Sequence, residues 1–466
     1  MDTPNHARLL DAAGTLWSLL GADTADLDRL ALTGPDHVLP SVFDVTAFAS
    51  GAVGVAALAA AELHAARTST SIPWVEVDSA HAAAAFQSEA LFNPRGWERP
   101  AAWDPIAGDY RAADRWIRLH TNYASHRVAA LSVLGCDADR GAVEAAVARW
   151  NAEPLESAIV DAGGCAAVMY DRDAWNAHPH GRAIAGAPAI TLEESGRAAA
   201  SLPPLPASAH GPLTGIRILD LTRVIAGPEC TRFLAAHGAE VLRIDPPGFA
   251  EVPALVPETT VGKRCATLDL ASPLGRARFE ALLAEAHVLV HGLRPGALEA
   301  LGLDAALLRR HNPALVVAAL DAYGWSGPWQ KRRGFDSLVQ MSCGIAAAGA
   351  AAKGTDRPTP LPAQALDHGI GYLLAAGVCR ALTRLLQDGR VTTVRGSLIG
   401  AANWLFAAGP GDPGVPPPRY APEIFEEAET AWGPVRQVRC PGIIDGRRPS
   451  WAIAAGPLGR HEPSFG

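Results

Sequence analysis

The chain has no C-x-x-C pair, no excess of basic residues and no long apolar run free of charge. Its seven cysteines (Cys136, Cys165, Cys230, Cys265, Cys343, Cys379 and Cys440) are scattered and odd in number, so reduced thiols are expected rather than a disulfide framework. A formal net charge of −8 gives no overall field that would draw the chain to nucleic acid or anionic lipid. Any anionic ligand must be held by local positive groups. The opening residues, MDTPNHARLLDAAG, carry acid and polar groups where an export leader has a basic start and an apolar core. The most apolar stretch, residues 47–61, meets Glu62 and His64 before it reaches spanning length, so a buried helix is expected there. A soluble, cytoplasmic protein without membrane or nucleic-acid partners is the expectation.

What is present is material for cores. With 466 residues, 49% of them hydrophobic, the chain can build two or three domains. Residues 199–213, AASLPPLPASAHGPL, lack periodicity and mark a linker near the middle. After it, IRILDL, EVLRI, RCATLDL, HVLVHGL and ALVVAAL read as strands alternating with helical segments, one of them opened by Ser272-Pro273. That alternation predicts an α/β domain, a parallel sheet with helices on its faces, over residues 214–406. Residues 1–198 are richer in Ala-rich helices, with a strand pair predicted around Asp114 and helices near Val143 and Leu155; a smaller α+β domain fits. Residues 407–466 form a Gly/Pro loop and a tail. An internal repeat is also visible: Leu39-Pro40, Asp44 and Gly54 before an Ala-rich helix are echoed by Leu361-Pro362, Asp367 and Gly377.

Several residues could carry chemistry. Arg223 with Ala226-Gly227-Pro228 sits where a strand ends and a helix begins, where free backbone N–H groups favour an anion; an ordinary turn with an exposed Arg would look the same. Lys263-Arg264 offers local positive charge, or merely a solvated pair. His291 and Arg294 follow a strand, at the end where open sheets bind ligands. Asp367 opens a helix and would serve there as an ordinary cap in an arbitrary protein. His461 and the His178-Pro179-His180 cluster lack ligand-like partners, so no metal is expected.

Taken in order, GIRILDLTRVIAGPECTRFLAAHGAEVLRIDPP, VGKRCATLDL, HVLVHGLRPGALEALGL, NPALVVAALDAYGWSGPWQKRRGFDSLVQ and LPAQALDHGIGYLLAAGVCRALTRLLQDG resemble the motif series of class III CoA transferases, a group that includes formyl-CoA and carnitine CoA transferases and α-methylacyl-CoA racemases. The resemblance covers about residues 211–406 and implies a Rossmann-like domain that binds coenzyme A as acyl-CoA. It implies CoA contacts from Arg223, Ala226, Gly227, Lys263, Arg264, His291 and Arg294. It also makes Asp367 the nucleophile in CoA transfer between an acyl-CoA and a carboxylic acid, with Gly369 and Gly371 giving the acyl group room to approach. The sequence departs from many relatives at Ile225 and His291-Gly292. Racemase relatives carry a proton-exchanging His where Phe335 stands, which favours a transferase. A CoA-binding protein without catalysis, or an acyl-CoA racemase or isomerase, are the alternatives. Residues 38–179 resemble the opposite end of the family, as though the halves were rearranged, which makes Asp44 a rival nucleophile. Family members form interlocked dimers, so a homodimer is expected.

Overall fold

The computed structural model describes residues 6–199, 202–206 and 209–466. The strands β1 (Ile190–Arg197), β2 (Arg217–Leu221), β3 (Glu240–Asp245), β4 (Lys263–Thr267), β5 (Val288–His291), β6 (Val316–Asp321) and β7 (Arg390–Ser397) form one sheet. Their order is β4-β3-β2-β5-β6-β7-β1, with β1 antiparallel to β7 and the other pairings parallel. This is the expected α/β sheet. The central strands β2 and β5 are buried on both faces because helices cover both. Since the chain leaves β2 toward β4 and returns to place β5 on the other flank of β2, the order reverses between β2 and β5. A crevice therefore opens beyond their carboxyl ends.

Three helices set the interior: α1 (Val45–Thr68), α2 (Ala226–Ala236) and α3 (Ala365–Asp388). α3 packs on both α1 and α2. Close approach explains the glycines near the head of α3. A Cβ on Gly369 would run into the Phe48 ring, and one on Gly371 would lie 2.7 Å from the Ala226 carbonyl oxygen. These two positions serve helix packing and not the approach of an acyl group, which corrects the expectation for them. α1 also runs past its expected apolar stretch, since Glu62 is ion-paired with Arg380 on α3 and can continue the helix in the interior. By length and composition α1 and α3 could each cross a membrane, yet both are packed inside the protein.

The repeat has a structural counterpart. Strands Leu30–Thr33 and Val75–Asp78 pair in parallel across α1, as β6 and β7 do across α3. Each second strand ends in a cap: Asp78 accepts the His81 N–H, and Ser397 accepts that of Gly400. The strand pair around Asp114 is Gly108–Arg111 with Trp116–Leu119, joined by Ala166–Val168.

The predicted boundary at 198 does not separate two bodies, because β1 comes from the first region and closes the edge of the large sheet. Part of the 199–213 linker (200, 201, 207 and 208) lies outside the described residues. The tail runs along β4, where Cys265 and His461 exchange two hydrogen bonds of 2.9 Å, so the other sheet edge is covered as well.

Beneath the crevice lies a fully buried ion pair. The Lys263 Nζ donates to Asp220 Oδ2 at 3.1 Å and to the Pro228 carbonyl at 3.0 Å, while Thr222 and Thr231 also donate to the same carboxylate. Against the penalty of burial, Lys263 holds the Asp220 carboxyl below its ordinary range. Two stability changes follow. Lys263→Met should cost about 3–5 kcal/mol in urea unfolding by stranding a buried carboxylate, and Lys263→Met with Asp220→Asn should recover much of it. Gly369→Ala should cost about 1–3 kcal/mol through overpacking, with part restored when Phe48→Leu is added.

Candidate active site

The loop ending in Gln364 leads into α3, whose first turn carries Asp367. A helix start leaves backbone N–H groups without partners. Here they are met from another element, because Asp336 Oδ2 accepts the N–H of Leu366 at 2.8 Å and of Asp367 at 3.0 Å. Gln340, one turn along the helix Asp336–Ser342, donates to Asp336 through its amide and accepts the Leu361 N–H at 2.8 Å. With the cap supplied in this way, the Asp367 carboxyl is left without a hydrogen-bond partner among the described residues.

Asp367 lines two cavities at once. One is the crevice, about 660 Å³, formed by Leu221, Pro246, Leu268, Gly292 and Leu320 just past the strand ends. The other is a chamber of about 300 Å³ between Asp367 and the first half of the chain, with Glu89, Arg99, Trp103 and His120 on its walls. Val224 and Phe335 also border both spaces. Asp367 is only 8% exposed, and burial, followed by the nearby Asp336 charge, pushes its carboxyl well above the ordinary range. Burial likewise raises Asp336, to about 6. The adjacent His368 opposes this. Although burial disfavours its charged form, Glu89 at 2.8 Å and then Glu229 raise it to about 9, so an imidazolium stands beside Asp367 at neutral pH.

The crevice gathers several positive groups in a protein that is acidic as a whole. Arg223, Arg294 and Arg333 line it, and the Arg223 guanidinium lies 4.1 Å over the Phe249 ring. α2 begins at its rim with no side-chain cap at Ile225, leaving N–H groups and the positive end of the helix dipole toward the space that Ala226 borders. Val224 has φ +66°, a strained conformation for a β-branched residue. Its N–H is held by Glu251 Oε2 at 3.1 Å; Arg243 and Tyr123 in turn bond the Glu251 carboxylate. Opposite, the His120 ring stacks on Phe335 at 3.6 Å, and burial lowers His120 to about 3, so that imidazole is neutral.

The expected ligand contacts divide. Arg223, Ala226 and Arg294 lie on the crevice with Asp367. Lys263 does not, being fully buried on Asp220, and Arg264 is turned to the Ser464 carbonyl of the tail at 3.0 Å. Both stand toward the start of β4, whereas the crevice lies beyond its end. Gly227 is buried against Thr222. His291 shares the sheet face of Leu289, away from α3, and lines a separate cavity of about 260 Å³. Asp44 caps α1 through the Ala47 N–H and is ion-paired with Arg8, so its carboxylate is engaged, and it borders neither cavity. Residues that sequence reasoning passed over include Arg333, Asp336 and Glu89. The Asp336/Gln340 spacing, one helical turn, is a signal that could have found the clamp; nothing local marks Glu89. Among the described residues no group of three or more His, Cys, Asp or Glu could hold a metal ion.

Residues 213–442 match the family model described as CoA-transferase family III. The chain is 32% identical over 209 residues to a probable fatty acyl-CoA transferase of Mycobacterium tuberculosis, covering 42% of this chain and 52% of that protein. It is 31% identical over 190 residues to formyl-CoA:oxalate CoA-transferase of Bradyrhizobium diazoefficiens, covering 38% and 44%. A crystal structure of the mycobacterial protein matches 43% of this chain and 58% of its own, with 32% identity and a TM-score of 0.40. The chain spans about half the length of these curated relatives. The matched segment contains β2 to β7, the crevice rim and Asp367, so the likeness to CoA-transferase family III falls on the part of the chain that builds the site.

Proposed function

We propose that the protein transfers coenzyme A between an acyl-CoA thioester and a carboxylic acid, with Asp367 as the nucleophile. One observation carries this reading: an unengaged carboxyl sits where a large crevice lined by arginines meets a smaller chamber. The CoA moiety would lie in the crevice, its phosphates on Arg223, Arg294 and Arg333 and at the start of α2. Its thioester would reach the junction, with the acyl group in the chamber.

A free carboxylate attacks a thioester slowly, and covalent steps divide the barrier. Asp367 attacks the acyl carbon; the C–S bond breaks and CoA leaves as thiolate, giving an aspartyl-acyl anhydride. The thiolate then attacks the aspartyl carbonyl, releasing the donor acid and leaving an aspartyl-CoA thioester. The acceptor carboxylate attacks that thioester, forming a new anhydride and freeing the thiolate. Attack of the thiolate on the acceptor acyl carbon gives the new acyl-CoA and restores Asp367. No net proton is consumed. A racemase would need a proton carrier at the place where Phe335 stands, and a phenyl ring cannot exchange a proton.

Incubation with an acyl-CoA and hydroxylamine should convert Asp367 to a hydroxamate, found by peptide mass spectrometry, with Asp44 unmodified; no modification at Asp367 would rule this reading out. Asp367→Ala should lower transfer at least about a thousandfold. The pH profile has a defined sign. Only the ionised carboxyl attacks, so kcat/KM should rise with pH through the raised Asp367 titration. His368→Gln removes the charge that lowers this titration and should move the rising limb to higher pH.

A further inference from the structure

We infer that His120 supplies an N–H that stabilises the oxyanion formed when Asp367 attacks the thioester. The inference rests on Asp367 being the nucleophile. Attack by the carboxylate forms a C–O bond to the acyl carbon and pushes the carbonyl electron pair onto oxygen; the C–S bond breaks when that pair returns. A donor fixed where this charge develops lowers the barrier without giving up its proton.

The backbone N–H groups nearest the nucleophile are already engaged. Those of Leu366 and Asp367 are taken by Asp336, that of Val224 by Glu251, and that of His368 by the Gln364 carbonyl at 3.0 Å. Among side chains, the Gln87 amide donates to the Pro362 carbonyl at 2.9 Å, and His368 is bound to Glu89. His120 is not committed in this way. It directly follows the strand Trp116–Leu119, is only 4% exposed, and lines the chamber together with Asp367. Its Nδ1 is buried with no hydrogen-bond partner among the described residues, so no acceptor holds the single ring proton there and the proton is left for Nε2.

Packing fixes the ring before any ligand arrives. The ring centres of His120 and Phe335 are 3.6 Å apart with 3° between their planes, and Trp103 meets His120 edge-on at 6.0 Å. Phe335 borders both the chamber and the crevice, so this stack stands at the wall of the junction where the thioester would lie. Neutrality matters as well. Burial, followed by the charges of His126 and Arg118, keeps the proton count of the imidazole at one. A cation there would pair with the Asp367 carboxylate in the ground state, whereas a neutral N–H gains most once the oxyanion forms. The Ser337 hydroxyl is also buried and unpartnered, but it opens on a recess with Met341 and Pro360 that shares no lining residue with the crevice, so Ser337 serves as the control.

The test follows hydroxylamine modification of Asp367 in the full chain by peptide mass spectrometry, with acetyl-, succinyl-, butyryl- and octanoyl-CoA as probes. His120→Phe keeps the stack on Phe335 and removes the donor. It should lower the saturating rate about a hundredfold to thousandfold and leave the half-saturating acyl-CoA concentration within about threefold of the wild type. His120→Gln and His120→Met are alike in size and differ in the N–H, so they repeat the comparison without the aromatic ring; the Gln variant should be faster by at least about tenfold. Ser337→Ala should match the wild type. An undiminished rate in His120→Phe, equal rates in the Gln and Met variants, or a loss that appears in Ser337→Ala instead would overturn the inference, as would a rise in the half-saturating concentration alone. Modification of wild-type Asp367 together with any of these results defeats only the role of His120. No modification with any of the four thioesters defeats the nucleophile, and the inference with it.

Discussion

The site depends on one carboxylate that does no chemistry itself. Asp336 takes the N–H groups of Leu366 and Asp367 and so satisfies the start of α3 from outside the helix. A helix start calls for an acceptor and favours negative charge, and a nearby acidic residue normally fills the role. α1 is built in that ordinary way, with Asp44 capping its own helix and tied further by Arg8. The two helices are each 24 residues long and are flanked alike, yet only at α3 has capping passed to another residue. Asp367 is thereby left in the first turn with its oxygens unspent. Gln340 secures the arrangement by bonding both Asp336 and the backbone of the incoming loop at Leu361.

Charge is handled on two levels. Inside, Asp220–Lys263 and Arg243 with Asp245 and Glu251 are closed pairs, and they hold the β2–α2 connection and the strained Val224 in place. On the crevice wall, guanidinium groups at Arg223, Arg294 and Arg333 remain within reach of a ligand. An acidic protein can present a cationic pocket in this way because its fully buried cations are neutralised locally, whereas the crevice guanidiniums, Arg223 among them although it lies 3.7 Å from the Asp245 carboxylate, stand on loops past the strand ends. The imidazolium of His368 extends the arrangement to the nucleophile, where it opposes the rise that burial imposes on Asp367.

The large sheet was legible because its strands are short apolar runs separated by helices with ordinary start signals. Ser272 does cap the helix Pro273–Glu285, for example. Asp367 and the crevice residues Arg223, Ala226 and Arg294 were legible as a motif series. Direction was harder to read. Lys263 and Arg264 look like a surface pair, but whether a charge in a strand faces water depends on its partner, and the partner of Lys263 is Asp220, on a different strand. His291 was assigned to the right strand end and the wrong face. Glu89 meets His368 across 279 positions of sequence, a pairing no local pattern could suggest. The boundary at 198 failed for a similar reason: β1 belongs to the first region in sequence and to the large sheet through its hydrogen bonds with β7.

The meeting of two spaces at Asp367 has a consequence for the order of events on the proposed reading. A long carrier seated in one compartment and a small acid in the other have no need to pass each other at the reacting carbon. Spent and fresh acids can trade places on the short side while the thiol end stays docked on the long side.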